Sequence, residues 1–399
     1  MSNQPKNFLC ISTYFKGIDF LRGCHDEGNN VYLLTKKSLE NEPWPWECIK
    51  EVFYIENWNH DDVIRGIAYQ FRTTKFDRFT ALDDFDVEKV ALLREHFRVP
   101  GMGRTTAHYF RDKLAMRLKA EREGVNVPAF TALFNDNDIN DYIDKIQPPW
   151  LLKPRMEASA TGIKKVHSKE ELWQIIDVLE DERDNYLVEK FAPGDVYHVD
   201  GLNNNGKVVF SRVSKYLDTP FEVAHGGGIF RSCSCEVGSD EEKTIKKMNA
   251  DVMKAFGMQF GASHTEFIKS KATGELFFLE TSSRVGGANL AEMVEAASGV
   301  NLWKEWARIE SAELKDVNYE LPKLKNQYAG IVVSLSRQEH PDTSGFNEPE
   351  IVWRMDKAWH IGLIVASNSS ERILQLLEQF SAKIATDFHA SIPAPDKSE

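Results

Sequence analysis

The segment of residues 262–284 constrains the fold of this chain more than any other. Two apolar runs, at His264–Ile268 and Glu275–Leu279, flank a polar turn that contains glycine at Ser270–Gly274. Apolar runs on either side of such a turn are typical of a β-hairpin. The sequence therefore predicts two antiparallel strands here, with the turn centred near Thr273.

The predicted pairing brings two carboxylates together. Glu266 would lie opposite Glu280, and the two-residue period of a strand puts His264, Ser282 and Arg284 on the same face. Opposed carboxylates repel each other unless a cation lies between them. Since carboxylates completed by phosphate oxygens are the usual ligands of Mg²⁺, the hairpin indicates a metal site. A solvated face with two unrelated glutamates is the alternative, because the register is inferred.

Length and composition indicate an ordinary globular protein. The length of 399 residues predicts two or three domains. Hydrophobic residues make up 42% of the chain and charged residues 28%, which is typical of globular proteins. A net charge of −12 argues against a general binder of nucleic acid or anionic membranes. No apolar run approaches the roughly 20 residues of a membrane helix, and the N-terminus lacks a signal-peptide pattern. Five cysteines without framework spacing predict reduced thiols, so we expect a cytoplasmic protein.

Strand and helix patterns predict a mixed α/β chain that is α+β overall. Strands that alternate with helices in the first hundred residues predict a parallel sheet. The expected parts are an N-terminal α/β domain at residues 1–104, a central domain at 105–310 with a subdomain at about 125–190, and a C-terminal α+β region at 311–399. The tail from Ser391 is predicted to be disordered.

Two further segments receive specific predictions. Residues 105–124 are predicted to form one helix with a buried stripe at Ala107, Phe110, Leu114 and Leu118. Residues 224–230, with three consecutive glycines, are predicted to form a mobile loop before a strand. Neither a complete dinucleotide-binding fingerprint nor a P-loop motif occurs, so a Rossmann or P-loop nucleotide site is not expected.

Several stretches carry residues suited to anions. Lys153 ends the apolar strand Trp150–Pro154, and the small residues of the 157–162 loop would let backbone N–H groups approach a phosphate. Val285–Asn289 precedes a helix whose free N–H groups are predicted to face the carboxylate strand, where they would bind a phosphate or carboxylate. Three acids follow a predicted strand and could either contact a ligand or cap a helix: Asp83, Asp84 and Asp86.

The order of these features resembles the ATP-grasp superfamily. The chain presents a helix lysine, a strand lysine before a small-residue loop, a strand Glu-Lys-Phe with an acid soon after it, and a carboxylate pair with an arginine. The segments R-D-K-L-A-M-R from Arg111, G-V-N-V-P from Gly124 and L-L-K-P from Leu151 are similar to segments of that family. The resemblance covers roughly residues 1–310 and implies an ATP-grasp fold in which the 125–190 subdomain is a lid.

The resemblance also implies a role for each matching residue. For ATP these are Lys113 and Lys153 on the phosphates, Glu189, Lys190 and Phe191 around the adenine, and Asp195 on the ribose. The resemblance implies that Glu266 and Glu280 bind Mg²⁺ or Mn²⁺. It implies that Arg284 binds the substrate carboxylate or its acyl phosphate. Ser282 stands where many members have an asparagine ligand, which leaves open whether one or two metal ions bind.

The implied activity is an ATP-dependent carboxylate–amine ligase that forms an amide through an acyl phosphate and releases ADP and phosphate. Its partners would be small acids and amines, and a homodimer, the commonest assembly, is expected. A bicarbonate-using ATP-grasp carboxylase and a non-catalytic ATP-binding protein are the alternatives. His225, Arg231 and Asn289 are further candidates for substrate contacts, and His264 could support a neighbouring group or act as a base.

Overall fold

The computed structural model of this protein describes residues 4–158 and 160–391. Residues 392–399, nearly all of the tail that was expected to be disordered, lie outside the described residues. The strands form three sheets within the described part of the chain. Short 3₁₀ turns lie at Lys37–Leu39, Trp46–Cys48, Asp84–Asp86 and Glu180–Asn185. Across the described ranges, no helix has the length and apolar character needed to cross a membrane.

The first sheet is parallel, which confirms the prediction from alternating strands and helices. Its strands are β1 (Asn7–Ser12), β2 (Asn30–Lys36), β3 (Ile49–Ile55) and β4 (Arg78–Ala81), in the order β3-β2-β1-β4. The helices that follow β1, β3 and β4 are α1 (Ile18–Asp26), α2 (His60–Gln70) and α3 (Val87–Phe97). The order reverses between β1 and β4, so the loops after these strands meet at the edge where open α/β sheets bind ligands.

The predicted single helix at 105–124 is wrong, because the chain forms two helices there. These are α4 (Arg104–His108) and α5 (Lys113–Arg122). Asp112 takes an extended backbone, and its side chain accepts hydrogen bonds from the N–H groups of Leu114 and Ala115, so it caps a new helix. Lys113 is consequently the first residue of α5 instead of a mid-helix side chain. Leu118, which was expected to be buried, is 40% exposed.

The second sheet is small and antiparallel. It lies within residues 125–190, which we call the lid. Its strands are β5 (Phe130–Ala132), β6 (Trp150–Pro154), β7 (Lys164–Val166) and β8 (Tyr186–Lys190), in the order β5-β8-β6-β7. Helices α6 (Asp136–Lys145) and α7 (Lys169–Leu179) cover it and supply a separate hydrophobic core. Asn135 and Ser168 cap these two helices, as their side-chain chemistry favours.

The third sheet is the largest and contains the hairpin. Its strands from the middle of the chain are β9 (Gly194–Asn204), β10 (Lys207–Tyr216), β11 (Phe230–Ser234), β12 (Gly261–Ser270) and β13 (Leu276–Ser282). The helices of this region are α8 (Pro220–Gly226), α9 (Asp240–Phe256), α10 (Leu290–Ser298) and α11 (Leu302–Lys315).

The C-terminal region extends the same large sheet. Its elements are β14 (Tyr328–Ser336), β15 (Ile351–Arg354), β16 (His360–Ser367), α12 (Ser370–Asp387) and β17 (His389–Ala390). The resulting order is β13-β12-β9-β10-β11-β14-β16-β15, with β17 paired to β14. Because β14 pairs with β11, residues 328–390 continue the sheet that holds the hairpin.

The predicted mobile loop at 224–230 is also partly wrong. Residues 224–226 are the last turn of α8, and only the glycines after it leave the helix. Thr219 and Glu222 form a reciprocal capping box, and Pro220 occupies the first turn, so local chemistry starts a helix here. Gly227 ends the helix with a φ of 64°, a left-handed conformation that glycine adopts without strain.

Candidate functional site

The hairpin has the register that the sequence predicts. Strands β12 and β13 pair Glu266 with Glu280 and His264 with Ser282. A bulge follows Glu266, where the register shifts. The two carboxylates therefore lie side by side on one face of the large sheet, at the end that approaches the first sheet.

A buried lysine lies against the carboxylate pair. The Nζ of Lys113 is 2.9 Å from Oε2 of Glu280 and donates a hydrogen bond to the carbonyl oxygen of Glu157 at 2.6 Å. Burial would raise the pKa of Glu280, but Lys113, with Lys153 behind it, lowers the pKa instead. On the other carboxylate, the hydroxyl of Tyr216 donates to Oε1 of Glu266 at 2.8 Å.

The second lysine belongs to a buried charge cluster in the lid. Lys153 pairs with one oxygen of Glu189, and Arg117 of α5 pairs with the other at 2.8 Å. Glu189 and Arg117 are each 1% exposed. Burial would raise the pKa of Glu189, but the two cations lower it to about 2, so the carboxylate is ionised.

Arg117 is a residue that the sequence analysis missed. It lies four residues after Lys113, so both side chains project from one face of α5. That spacing was the available signal, since a second basic residue one helical turn beyond a candidate phosphate lysine indicates a cationic face. Arg117 also donates to the carbonyl oxygen of Leu279 in β13, which joins the lid cluster to the hairpin.

Lys190, Phe191 and Asp195 follow Glu189 along the cavity wall. The amine of Lys190 donates to the carbonyl oxygens of Gln147 and Pro148, so its charge is held by the lid backbone. The Nζ of Lys165 lies 3.9 Å from the centre of the Phe191 ring. Asp195 accepts from Lys215 at 2.8 Å, and this hydrogen bond lowers its pKa.

Arg284 connects the hairpin to the first sheet. Its Nη2 donates to Oδ2 of Asp84 at 2.9 Å, and the hydroxyl of Ser282 donates to the same oxygen at 3.1 Å. Asp84 follows β4 at the edge where ligands were expected. Burial would raise the pKa of Asp84, but Arg284 and Arg111 lower it to about 2.

The neighbouring acids Asp83 and Asp86 bind other residues of the chain. Asp83 accepts from the N–H of Phe85 and pairs with Lys16, whereas Asp86 accepts from the N–H and the hydroxyl of Thr13. The capping alternative is confirmed for Asp83, and a ligand contact by this acidic stretch stays a prediction. Asp83 caps a turn, and Asp84 lines the cavity.

One cavity of about 630 Å³ brings the principal candidates together. It lies between the lid, the large sheet and the loop after β4. The candidates that line it are Lys113, Lys153, Glu189, Lys190, Phe191, Asp195, Glu266, Glu280, Ser282 and Arg284. Residues that the sequence spreads over about 170 positions thus surround a single space.

The three remaining candidates are absent from the described lining of this cavity. His225 contacts the carbonyl oxygens of Phe221 and Ile163, each at 3.0 Å, and so connects α8 to the lid. Arg231 pairs with Asp218 and with Glu378 of α12. Asn289 precedes α10 in a left-handed conformation.

A buried hydrogen-bond chain supports the hairpin from behind. The carboxylate of Asp200 lies 2.7 Å from Nδ1 of His198 and 2.8 Å from Nδ1 of His264, and Nε2 of His198 lies 2.7 Å from the hydroxyl of Ser232. Burial would lower the pKa of His264, but Asp200 and Glu266 raise it to about 10, so the imidazole is a cation. His198, Asp200 and His264 lie close enough together to hold a metal ion. Their facing atoms are instead joined by hydrogen bonds.

The residues around the cavity fit a nucleotide with a divalent cation. Two adjacent carboxylates offer the oxygen ligands that Mg²⁺ prefers, and two lysines supply positive charge for phosphates. Apolar walls at Met116, Leu151 and Leu279 lie near Glu189, which Leu151 faces across the lid sheet. An apolar slot with a few polar groups is typical of a site for a heterocyclic base.

Comparison with known proteins identifies a matching domain family and similar ligases. A family model of the ATP-grasp domain matches residues 146–292. The L-arginine-specific L-amino acid ligase of Bacillus subtilis is 27% identical over 262 residues, which cover 63% of this chain and 62% of that protein. The D-alanine–D-alanine ligase of Neisseria gonorrhoeae (strain NCCP11945) is 25% identical over 193 residues, 47% of this chain and 63% of that protein. The matches therefore span less than two thirds of either relative.

The fold is similar to that of a solved ligase over nearly its whole length. The crystal structure of the L-amino acid ligase from Bacillus licheniformis superposes with a TM-score of 0.77. The superposition covers 98% of this chain and 100% of that one, at 18% identity. At this identity the likeness concerns the fold, which is the ATP-grasp fold that the sequence motifs predict.

Proposed function

We propose that this chain, whose residues 146–292 match the ATP-grasp domain, is an ATP-dependent ligase that joins the carboxylate of one amino acid to the amine of another. ADP and phosphate are the other products. The observation that carries this proposal is the cross-strand pair Glu266–Glu280, which lies in one cavity with Lys113, Lys153 and Arg284. Similarity to two amino-acid ligases supports amino acids as the substrate class.

The cavity has a nucleotide end and a substrate end. Glu189, Lys190 and Phe191 receive the adenine, Asp195 contacts the ribose, and Lys153 and Lys113 bind the phosphates. Glu266 and Glu280 would hold Mg²⁺, and Ser282, two residues after Glu280, also lines the cavity. Arg284 is at the other end, next to the first sheet, where it binds the carboxylate that is to be activated.

The reaction that this arrangement serves has two bond exchanges. A carboxylate oxygen of the first substrate takes the γ-phosphoryl group of ATP as the bond to the β-phosphate oxygen breaks. The amine nitrogen of the second substrate then attacks the acyl carbon, loses a proton, and phosphate leaves. Bound Mg²⁺ supplies charge neutralisation on the phosphates.

This chain's residues contribute positioning, charge and exclusion of water. Lys113 and Lys153 offset phosphate charge, and Arg284 neutralises charge on the acyl oxygen as the amine attacks. The lid covers the cavity from the nucleotide side, which protects an acyl phosphate from hydrolysis. Its attachment to α8 through His225 and Ile163 closes the cavity further.

Phosphate release from ATP tests the proposal. The purified protein with Mg²⁺ and ATP is screened against the amino acids, singly and in pairs. We expect release that requires an acid and an amine together, with formation of a dipeptide detected by mass spectrometry. Glu280→Ala is expected to lower the rate by at least about 100-fold, because one carboxylate alone holds Mg²⁺ poorly.

Two outcomes would contradict the amino-acid ligase. Release that depends on bicarbonate and needs no amine would indicate a carboxylase. Tight binding of Mg²⁺ and ATP without release in any combination would indicate a non-catalytic ATP-binding protein. Val178→Ala, at a side chain that is 82% exposed on α7, is the matched control and should leave the rate unchanged.

A further inference from the structure

One buried arginine in the cavity has no acidic partner. Arg111 lies in the turn between α4 and α5, is 6% exposed, and lines the cavity. Within the described residues, no carboxylate lies within ion-pair distance of its guanidinium. Buried charges are normally paired, because an unpaired one keeps the full cost of its lost hydration.

The other basic groups at this part of the cavity are already paired. Lys113 lies 2.9 Å from Glu280, Lys153 pairs with Glu189, and Arg284 lies 2.9 Å from Asp84. Among the described residues, Arg111 differs from these three in having no carboxylate within ion-pair distance, so no acidic side chain competes with a ligand anion for its guanidinium.

The guanidinium is held in a fixed position. Its central carbon lies 4.5 Å from the centre of the Phe85 ring, in a cation–π contact. Phe85 in turn contacts the Tyr14 ring, with 5.3 Å between the ring centres. Both aromatic residues belong to the loops after β1 and β4, at the ligand-binding edge of the first sheet. These two loops thus supply an aromatic surface against which the guanidinium of Arg111 packs.

Arg111 lies at the substrate end of the cavity. It is close enough to Asp84 to lower the pKa of that carboxyl together with Arg284, whereas the nucleotide residues lie toward the lid. An anion bound by Arg111 is thus near the carboxylate that Arg284 receives. The planar fork of an arginine binds a carboxylate with two parallel hydrogen bonds, which fixes its orientation.

We propose that Arg111 binds the carboxylate of the amine-bearing substrate. The amine substrate is then an α-amino acid, and a simple amine binds less well because it lacks this contact. In an α-amino acid one carbon separates the amine from the carboxylate, so holding the carboxylate also positions the attacking nitrogen. This inference rests on the proposed ligase function and assigns the second substrate's subsite.

The test compares an amino acid with its own amide. L-alanine and L-alaninamide, and L-arginine and L-argininamide, are each offered as the amine substrate, and kcat/KM is measured for both members of a pair. Wild-type protein is expected to prefer the free acid by at least about 100-fold, because the amide leaves Arg111 unpaired. Arg111→Gln should reduce this preference to less than about 10-fold, chiefly by lowering the value for the acid, and Arg111→Lys should retain part of it.

Equal losses for acid and amide in Arg111→Gln would overturn the inference, since a structural role affects both alike. A wild-type protein without preference between acid and amide would overturn it as well. Arg65→Gln, in a salt bridge on the exposed side of α2, is the matched control and should keep the wild-type preference.

Calorimetry separates this inference from the proposed function. The same acids and amides are titrated into protein with Mg²⁺ and a non-hydrolysable ATP analogue. Tighter binding of the acid to wild-type than to Arg111→Gln supports the subsite even when no ligation occurs, and equal binding contradicts it. Absence of ligation by the wild-type protein with every acid and amine contradicts the proposed function alone.

Discussion

At the residue scale, the charge cluster in the lid shows why single positions could be predicted only in part. The sequence identified Lys153 from its strand and the loop after it, and the resemblance to the ATP-grasp superfamily implied Glu189. It did not identify Arg117, which pairs with Glu189 at 2.8 Å, because the partner of a buried carboxylate is set by distant packing. The same applies to Asp84 and Arg284, which are 200 positions apart and joined by a 2.9 Å hydrogen bond.

The lowered pKa of Glu189 predicts how stability depends on pH. Because the pKa is about 2 in the folded protein and near 4.5 ordinarily, the ionised group stabilises the fold above pH 4.5 and loses this effect as pH falls toward 2. Urea unfolding between pH 5 and pH 3 should show a falling free energy of unfolding. In Glu189→Gln the slope should be smaller by about 1 kcal/mol per pH unit over this range.

Glu51→Gln provides the comparison for this measurement, since that side chain is exposed on β3. It should alter the slope much less than Glu189→Gln. Identical slopes for wild-type protein and Glu189→Gln would mean that the buried carboxylate does not contribute to the acid sensitivity of the fold.

At the element scale, the hairpin was predictable and the α4–α5 region was not. The hairpin follows from apolar runs and a turn within 20 residues, so nearby sequence determines its register. The break before Lys113 depends on Asp112, whose oxygens bind two N–H groups of α5 and also Arg155 at the end of β6. A helix-compatible pattern continues through the break, so a contact with the lid decides where α5 begins.

Asp112→Ala is expected to affect both stability and nucleotide binding. Loss of the cap should lower the free energy of unfolding by about 1–2 kcal/mol, measured by urea denaturation. The first turn of α5 carries Lys113, so the KM for ATP should rise several-fold in the phosphate-release assay. Asn59→Ala removes the comparable cap of α2, far from the cavity, and should lower stability without changing the KM. Equal KM values in both variants would refute this link between the cap and the site.

At the scale of the whole molecule, buried ion pairs join the first sheet to the rest of the chain. Arg78 of β4 is 3% exposed, its Nε lies 3.0 Å from Oε2 of Glu310, and it also pairs with Glu313, both on α11. Asp84 and Arg284 form the second connection, inside the cavity. The part of the cavity proposed to bind the substrates therefore forms where the first sheet packs against the large one.

Arg78→Met should accordingly destabilise the protein. Two acids would lose a buried partner, so we expect the free energy of unfolding to fall by about 3–5 kcal/mol in chemical denaturation. Arg65→Met, in an exposed pair with Asp62, should change it by less than about 0.5 kcal/mol. A loss of the same small size in both variants would show that the connection between the sheets does not depend on this pair.

Several expectations about the whole molecule stay predictions. These are the division at residues 104 and 310, the homodimer and the cytoplasmic location. The C-terminal strands join the sheet of the hairpin through β14, which was not foreseen. Pairing between strands so far apart in the chain depends on side-chain packing across the sheet, and no local pattern encodes it.

The sequence by itself determined the elements whose pattern is local: the alternating strands and helices of the first sheet and the hairpin with its paired glutamates. It also determined the order of cationic and acidic motifs that resembles the ATP-grasp superfamily, whose domain matches residues 146–292. The tertiary structure decided which buried charges meet, namely Arg117 with Glu189 and Asp84 with Arg284, and which arginine stays unpaired. The physical reason is that strand and helix periods arise from neighbouring residues, whereas the energy of a buried charge depends on whatever distant segment packs against it.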